Sequence, residues 1–284
     1  MPFEIKQQTV EPGDIAIFDF DNDVKQFTVG FSEFSLTYGS NDHHIRRISV
    51  DMKSNLNGNR QLVVDTSAVI SDDSGHILDK SDSSIKVVAL AWTSPDATSL
   101  VMTNREGIAN NGTSTPISLP DSNPNIFQSN LSGFYLEYSA DHHLRNINCA
   151  VGVEPAGNEG YITGRASMSD DSGSYATTTT VDGGMVASSD SSPGFEVRST
   201  TTLQNSSETL NFSSGLNTFA ALIVSFKGEY SGDHHVKTIG PSVQITNDGS
   251  GSGSVTVTGE MTLKDDSGHG ADGNSYITAV VYGY

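Results

Sequence analysis

FSLTYGSNDHHIRRISVDM, residues 34–52, contains the pattern that decides the fold. Apolar and polar residues alternate from Phe34 to Tyr38, and they alternate again from Ile48 to Met52. A spacing of two is typical of a β-strand with one buried face. The residues between the two series are rich in Gly, Ser, Asn and Asp, which favour tight turns. The stretch therefore predicts a β-hairpin with the triplet Asp42-His43-His44 at its turn.

Two landmarks recur along the chain. The triplet Asp-His-His occupies residues 42–44, 141–143 and 233–235, and the sequence Asp-Asp-Ser-Gly occupies residues 72–75, 170–173 and 265–268. Self-similarity at a nearly fixed period is the signature of a repeat architecture. The landmarks predict three tandem units, residues 1–94, 95–190 and 191–284. Each unit has about 95 residues, which is enough for a small hydrophobic core.

The predicted fold of each unit is an antiparallel β-sandwich. No stretch shows helical periodicity, and β-branched and aromatic residues dominate the apolar runs. The first and third units end in similar apolar strands, Ile85–Trp92 and Ile277–Tyr284. The second unit has Thr177–Thr180 and Gly183-Gly184 near this place, so it is expected to lack that strand. The sequence thus predicts an all-β protein of three tandem sandwiches, and it leaves open a pseudo-threefold arrangement.

Charge and apolar content exclude several classes of partner. The net charge is −19, so the chain repels nucleic acids and anionic membrane surfaces. The longest apolar run, Val87–Trp92, is far too short to cross a bilayer, and no signal peptide is visible. The single cysteine, Cys149, allows no intrachain disulfide. We expect synthesis in the cytosol, and release by a non-classical route or incorporation in a particle stays open.

The histidines concentrate at the repeated landmarks. Six of the eight lie in the Asp-His-His triplets, and His76 and His269 directly follow two of the Asp-Asp-Ser-Gly turns. Carboxylates accept hydrogen bonds from sugar hydroxyls, and an aromatic ring stacks on the apolar face of a sugar. A binding rim for an uncharged ligand is therefore expected to use these side chains: Tyr38, Asp42, His43, His44, Tyr138, Asp141, His142, His143, Tyr230, Asp233, His234 and His235.

A metal site is the competing interpretation. Imidazole and carboxylate together form a ligand set for Zn²⁺, and three copies around an axis would supply three histidines to one ion. The paired aspartates of the second landmark offer clustered oxygens to Ca²⁺. The residues in question are Asp72, Asp73, Asp170, Asp171, Asp265 and Asp266. A third interpretation is structural: the aspartates cap turns and the histidines pack on the sheet.

The unit resembles H-type lectin domains in three respects. These are its length, the aromatic strand from Phe34 to Tyr38, and the closing strand Val87–Trp92. The resemblance implies a six-stranded β-sandwich that assembles as a trimer and binds sugars at subunit edges. It carries no sugar-binding residue over to this chain.

The favoured function is non-enzymatic and multivalent. The chain has no nucleophile elbow, Walker loop, zinc-protease motif or dinucleotide-binding turn. Weak sites gain strength by repetition, which suits a carbohydrate-binding protein that contacts glycans on a cell or particle. Two alternatives are a structural or assembly protein of a particle surface or fibre, and a metal-dependent enzyme that uses the Asp-His-His sites. The oligomeric state stays open.

Overall fold

A computed structural model describes residues 2–95, 98–247 and 253–284. The described residues form β-strands and loops without a helix, as the period-two pattern predicts. Residues 1–94 contain β1 (Phe3–Val10), β2 (Ile15–Asp19), β3 (Gln26–Thr37), β4 (Ile45–Asn57), β5 (Gln61–Ser71) and β6 (Ser84–Trp92). Residues 95–190 contain β7 (Leu100–Ala109), β8 (Ile117–Ser118), β9 (Ile126–His142), β10 (Leu144–Ala156), β11 (Glu159–Ser169) and β12 (Thr178–Ser188). Residues 191–284 contain β13 (Glu196–Ser199), β14 (Ser206–Asn211), β15 (Phe219–His234), β16 (Thr238–Asn247), β17 (Ser254–Lys264) and β18 (Tyr276–Gly283). We call these three ranges the first, second and third segments.

The strands form three six-stranded antiparallel sheets, and every sheet combines two segments. The strand orders are β1-β6-β3-β16-β17-β14, β2-β5-β4-β9-β12-β7 and β13-β18-β15-β10-β11-β8. Each segment thus contributes three strands to one sheet and three to another. The inter-segment joints are the antiparallel pairs β3–β16, β4–β9 and β10–β15. No helix in the described residues has the length and apolar character that a membrane span requires.

The predicted Asp-His-His hairpins are wrong. β3 pairs with β6 and β16, whereas β4 pairs with β5 and β9, so the two strands that flank the first triplet lie in different sheets. The second triplet likewise joins β9 to β10 across sheets, and the third joins β15 to β16. Turn-forming residues are suited both to a hairpin within one sheet and to a link between two sheets. A period of two shows which face of a strand is buried, but it does not show which strand pairs with it.

The expected loss of the closing strand in the second segment is also wrong. β12 is present and pairs with both β7 and β9. Its two glycines make room for buried neighbours: a Cβ on Gly184 would lie 2.2 Å from Thr28 Oγ1 and 2.6 Å from Asn130 Oδ1. Thr28 and Asn130 are fully buried. Glycine therefore accommodates polar side chains from other strands at this position, and the strand itself is kept.

The closing strands are buried on both faces, which explains their continuous apolar sequence. In β6, Val87 and Ala89 belong to the main core, whereas Val88 and Leu90 belong to a second apolar cluster that also contains Phe3 and Phe195. A strand that faces water on one side would alternate with polar residues instead.

Three phenylalanines from the three segments meet in the main core. Phe34, Phe134 and Phe226 are buried, and their ring centroids lie 5.5, 5.5 and 5.6 Å apart. Each segment contributes one ring to this cluster, and the three distances are nearly equal. Aromatic contacts at this separation add about 0.5–1.5 kcal/mol beyond the burial of apolar area.

Candidate functional site

The second histidine of each triplet forms an axial triad. The ring centroids of His44, His143 and His235 lie 4.3–4.8 Å apart. Nε2 of His44 lies 3.3 Å from Nε2 of His235. One ring nitrogen from each residue lies within 4.8 Å of the other two. Small side-chain movements would let the three imidazoles bind one metal ion. The geometry therefore brings together one histidine from every segment.

Each histidine of the triad is followed by a side chain with no exposed surface: Ile45, Leu144 and Val236. The histidines are themselves only partly exposed. Burial, with His44 and His235 nearby, holds the pKa of His143 below its usual value. A neutral imidazole is the form that binds a metal ion.

In the second and third segments, the first histidine of the triplet contacts the first aspartate of the Asp-Asp-Ser-Gly turn in its own segment. His142 Nδ1 lies 2.9 Å from Asp170 Oδ2, and His234 Nδ1 lies 3.0 Å from Asp265 Oδ2. In the first segment, His43 stacks on His76 at a centroid distance of 3.6 Å, and His76 contacts Asp72. The two histidines of a triplet therefore contact different parts of the structure, because adjacent side chains on an extended chain point to opposite sides.

The electrostatics of these aspartates favour the ionised form. Burial raises the pKa of the Asp170 carboxyl, but hydrogen bonds from Ser174, Ser172 and His142 outweigh it and leave the pKa at about 2. Burial is likewise outweighed at Asp72 and Asp265, where hydrogen bonds from His76 and His269 hold the pKa below its usual value. Each first aspartate is therefore a fixed negative charge at neutral pH.

The aspartate of each triplet links two segments. Asp141 Oδ1 accepts a hydrogen bond from the backbone N–H of Asp73 at 2.6 Å, and Asp233 Oδ1 accepts one from the N–H of Asp171 at 2.6 Å. Asp42 Oδ2 accepts the N–H of Asp266 at 2.9 Å, and Asp266 Oδ2 accepts the N–H of Asp42 at the same distance. These contacts join the first segment to the second, the second to the third and the third to the first.

The second aspartate of each turn pairs with a cation. Asp73 contacts Arg46, Asp171 Oδ1 lies 3.1 Å from Arg145 Nε, and Asp266 Oδ1 lies 2.8 Å from Lys237 Nζ. The three cations hold the same place relative to their triplets, since each lies two residues after the second histidine. None of these second aspartates belongs to a group of three or more metal-ligating side chains within the described residues.

The rim tyrosines lie in the core. Tyr38, Tyr138 and Tyr230 have at most 8% of their surface exposed, and burial raises the pKa of all three hydroxyls. The Tyr38 hydroxyl donates a hydrogen bond to the backbone carbonyl of His44 at 2.9 Å. Each ring also contacts the first histidine of its own triplet. Their place in the structure is therefore beneath the histidines, without a ring face open to a ligand.

Two clefts at the segment joints were missed by the sequence reasoning. One is lined by Gln7, Lys86, Asn217, Phe219 and Ile245, from the first and third segments. The other is lined by Lys25, Phe27, Ser54, Asn104 and Glu106, from the first and second segments. Phe27 and Phe219 occupy the same position of the repeat, seven residues before Phe34 and Phe226. That repeated phenylalanine, half-buried in both places, is the signal from which the clefts could have been found.

Neither a protein-family model nor a curated protein matches the chain.

Proposed function

We propose that the protein is a non-enzymatic, multivalent carbohydrate-binding protein built from three β-sandwich repeats around a pseudo-threefold axis. The observation that carries the proposal is the pair of clefts at two segment joints, each beside the same phenylalanine of the repeat. The volume of the first cleft, about 230 Å³, is below the lower limit of about 300 Å³ for small-molecule sites, and that of the second, about 340 Å³, is just above it. A site of this size suits one or two sugar rings.

The cleft residues have the chemistry that sugar recognition needs. Gln7, Asn217 and Lys86 offer amide and ammonium donors in the first cleft, and Ser32 contributes a buried hydroxyl oxygen without a partner. Amide and hydroxyl groups both donate to and accept from vicinal hydroxyls. The half-buried ring of Phe219 adds apolar surface for the carbon face of a sugar. The net charge of −19 favours an uncharged ligand over an anionic one.

A glycan array tests this proposal. The parent protein is expected to bind a defined set of neutral glycans, and paired substitutions should weaken binding at each cleft: Lys86→Ala with Asn217→Ala, and Lys25→Ala with Glu106→Ala. All four together should remove binding, because repeated weak sites reinforce one another. The matched control, Lys80→Ala with Asp82→Ala, changes exposed charges outside both clefts. Absence of glycan binding by the parent, or full binding by the fourfold variant, contradicts the proposal.

A second candidate function, metal binding at the axial triad, rests on the convergence of His44, His143 and His235. Three imidazoles suit Zn²⁺, and a water molecule would complete a tetrahedral set. One ion on this axis would bind all three segments and stabilise the folded state by mass action. Zn²⁺ is expected to raise the melting temperature of the parent protein. In the triple variant His44→Asn, His143→Asn, His235→Asn, Zn²⁺ should raise the melting temperature by less than in the parent, because the axial ion is lost. An equal rise in the two proteins contradicts this assignment.

A further inference from the structure

Two further groups of metal-ligating side chains lie beside the axial triad. The first contains His43, Asp72 and His76, and the second contains His234, Asp265 and His269. In each group the three residues have ligand atoms within 4.8 Å of one another. We call these groups the lateral sites. Each combines the first histidine of a triplet with the first aspartate of the turn and the residue four positions after that aspartate.

The carboxylate of each lateral site is held in place by the chain. Asp72 Oδ1 accepts the backbone N–H of His76 at 2.8 Å, and Asp265 Oδ1 accepts the N–H of His269 at 2.8 Å. Only 3% of each aspartate side chain is exposed. The turn itself therefore fixes one oxygen, and it leaves Oδ2 directed at the imidazoles.

The two imidazoles of each lateral site lie side by side. The rings of His43 and His76 are 3.6 Å apart, and those of His234 and His269 are 4.1 Å apart. Asp265 Oδ2 lies 3.0 Å from Nδ1 of His234 and 2.7 Å from Nδ1 of His269. The outer histidines, His76 and His269, have about half of their side chains exposed. The nitrogens of these outer rings are therefore reachable from solvent.

We propose that each lateral site binds one divalent transition-metal ion of the Zn²⁺ class through two imidazoles and one carboxylate. Imidazole nitrogens select Zn²⁺, Ni²⁺ or Cu²⁺ over Ca²⁺ and Mg²⁺, which take oxygen ligands. Water completes the coordination, because the outer histidine faces solvent. This proposal is independent of carbohydrate binding in the clefts and of the axial triad.

The second segment provides an internal comparison. Asp170 and His142 occupy the corresponding positions, but Ser174 stands where the other segments have His76 and His269. Its backbone N–H binds Asp170 Oδ1 at 2.8 Å, so the turn keeps the same local geometry. Ser172 donates its hydroxyl to the same carboxylate. The second segment therefore keeps the turn and lacks the second imidazole, so the described part of the chain has two lateral sites instead of three.

Zinc binding by variants that exchange this position tests the proposal. Bound Zn²⁺ per chain is measured by equilibrium dialysis and elemental analysis of protein prepared without a histidine tag. The double variant His76→Ser, His269→Ser introduces serine, which the second segment already has at this position, so the variant is expected to fold. It should bind two fewer ions than the parent. The variant Ser174→His is expected to bind one ion more. The axial triad contributes equally to all three proteins and cancels in the comparison.

Melting temperatures in the presence of a chelator show whether the variants are folded. If the folded double variant binds as many zinc ions as the parent, the proposal is overturned. It is also overturned if folded Ser174→His binds no more zinc than the parent. Loss of two ions with glycan binding unchanged supports the lateral sites and separates their outcome from that of the proposed carbohydrate function.

Discussion

The imidazoles of His44 and His235, which lie 191 positions apart in the chain, face each other with their Nε2 atoms 3.3 Å apart. The third ring, His143, stacks on His235 at a centroid distance of 4.8 Å. Burial and the two neighbouring rings disfavour a positive charge on His143.

The stability of the protein should respond to pH through His143. Burial and the neighbouring imidazoles lower its folded-state pKa below the ordinary value of 6.5. Below about pH 6.5 the unfolded chain therefore binds more protons at this residue, and the free energy of unfolding falls as the pH drops. The variant His143→Asn should lose less of this free energy between about pH 7 and pH 5. Urea denaturation with a chelator present measures it, and identical pH slopes for the two proteins would contradict the assignment.

Replacement of Phe226 by alanine should strongly destabilise the fold. The ring is fully buried, and it contacts Phe34 and Phe134 at 5.6 and 5.5 Å. Truncation of a buried phenylalanine typically costs about 3–5 kcal/mol, because it leaves a cavity. Phe226→Leu is the control and should lose much less. A change below about 1 kcal/mol for the alanine variant would show that the three rings do not pack as described.

The hydrogen bond from the Asp73 backbone to Asp141 should contribute to the joint between the first two segments. Asp141→Ala removes the acceptor, and a hydrogen bond of this kind contributes about 1 kcal/mol at a partly exposed site. Asp141→Asn retains an acceptor oxygen and should remain close to the parent. Chemical denaturation compares the three proteins. Equal losses for the alanine and asparagine variants would mean that the negative charge, and not the hydrogen bond, matters.

Asp182 should destabilise the folded protein at neutral pH. Its Oδ1 accepts the backbone N–H of Gly107 at 2.6 Å, but burial, with Asp51 and Glu106 nearby, raises its pKa to about 6. Because the folded-state pKa of this carboxyl is raised, its contribution makes the free energy of unfolding increase as the pH falls through about 6. The contribution of His143 makes the free energy of unfolding decrease as the pH falls. Asp182→Asn should therefore raise the free energy of unfolding at pH 7 by about 1–2 kcal/mol, since one pKa unit corresponds to about 1.4 kcal/mol.

The advantage of this variant should shrink as the pH falls from about 7 to about 5, where the parent's own carboxyl takes up its proton. Denaturation curves at the two pH values measure the difference. A variant that is less stable than the parent at pH 7 would show that the Gly107 hydrogen bond needs the charged group.

Local patterns predicted the strands and much of the core. Alternation around Phe34 gave both the strand and its buried face, because side chains on a strand point to opposite sides. The same alternation did not show that β3 and β4 lie in different sheets. A turn-rich link looks alike in sequence whether the flanking strands pair with each other or with strands elsewhere. Partner choice depends on the rest of the chain.

The features that could not be predicted from the sequence depend on contacts between segments. The convergence of His44 with its counterparts was one of three open interpretations, and only the relative placement of the segments brings the three rings together. The hydrogen bond between Asp141 and the Asp73 backbone joins two different landmarks in two different segments, so no local motif contains it. Gly184 appeared to weaken a strand because its neighbours, Thr28 and Asn130, are distant in sequence.

The β3–β16 joint has a consequence for how the molecule withstands dilution. It closes a ring between the first and third segments, while the polypeptide itself links the other neighbours. A comparable ring made of three separate chains would dissociate at low concentration, because its stability depends on protomer concentration. Here every joint forms within one molecule, so ring closure costs only chain entropy, which rises slowly with loop length. The assembled ring therefore persists in a single molecule, however few copies surround it.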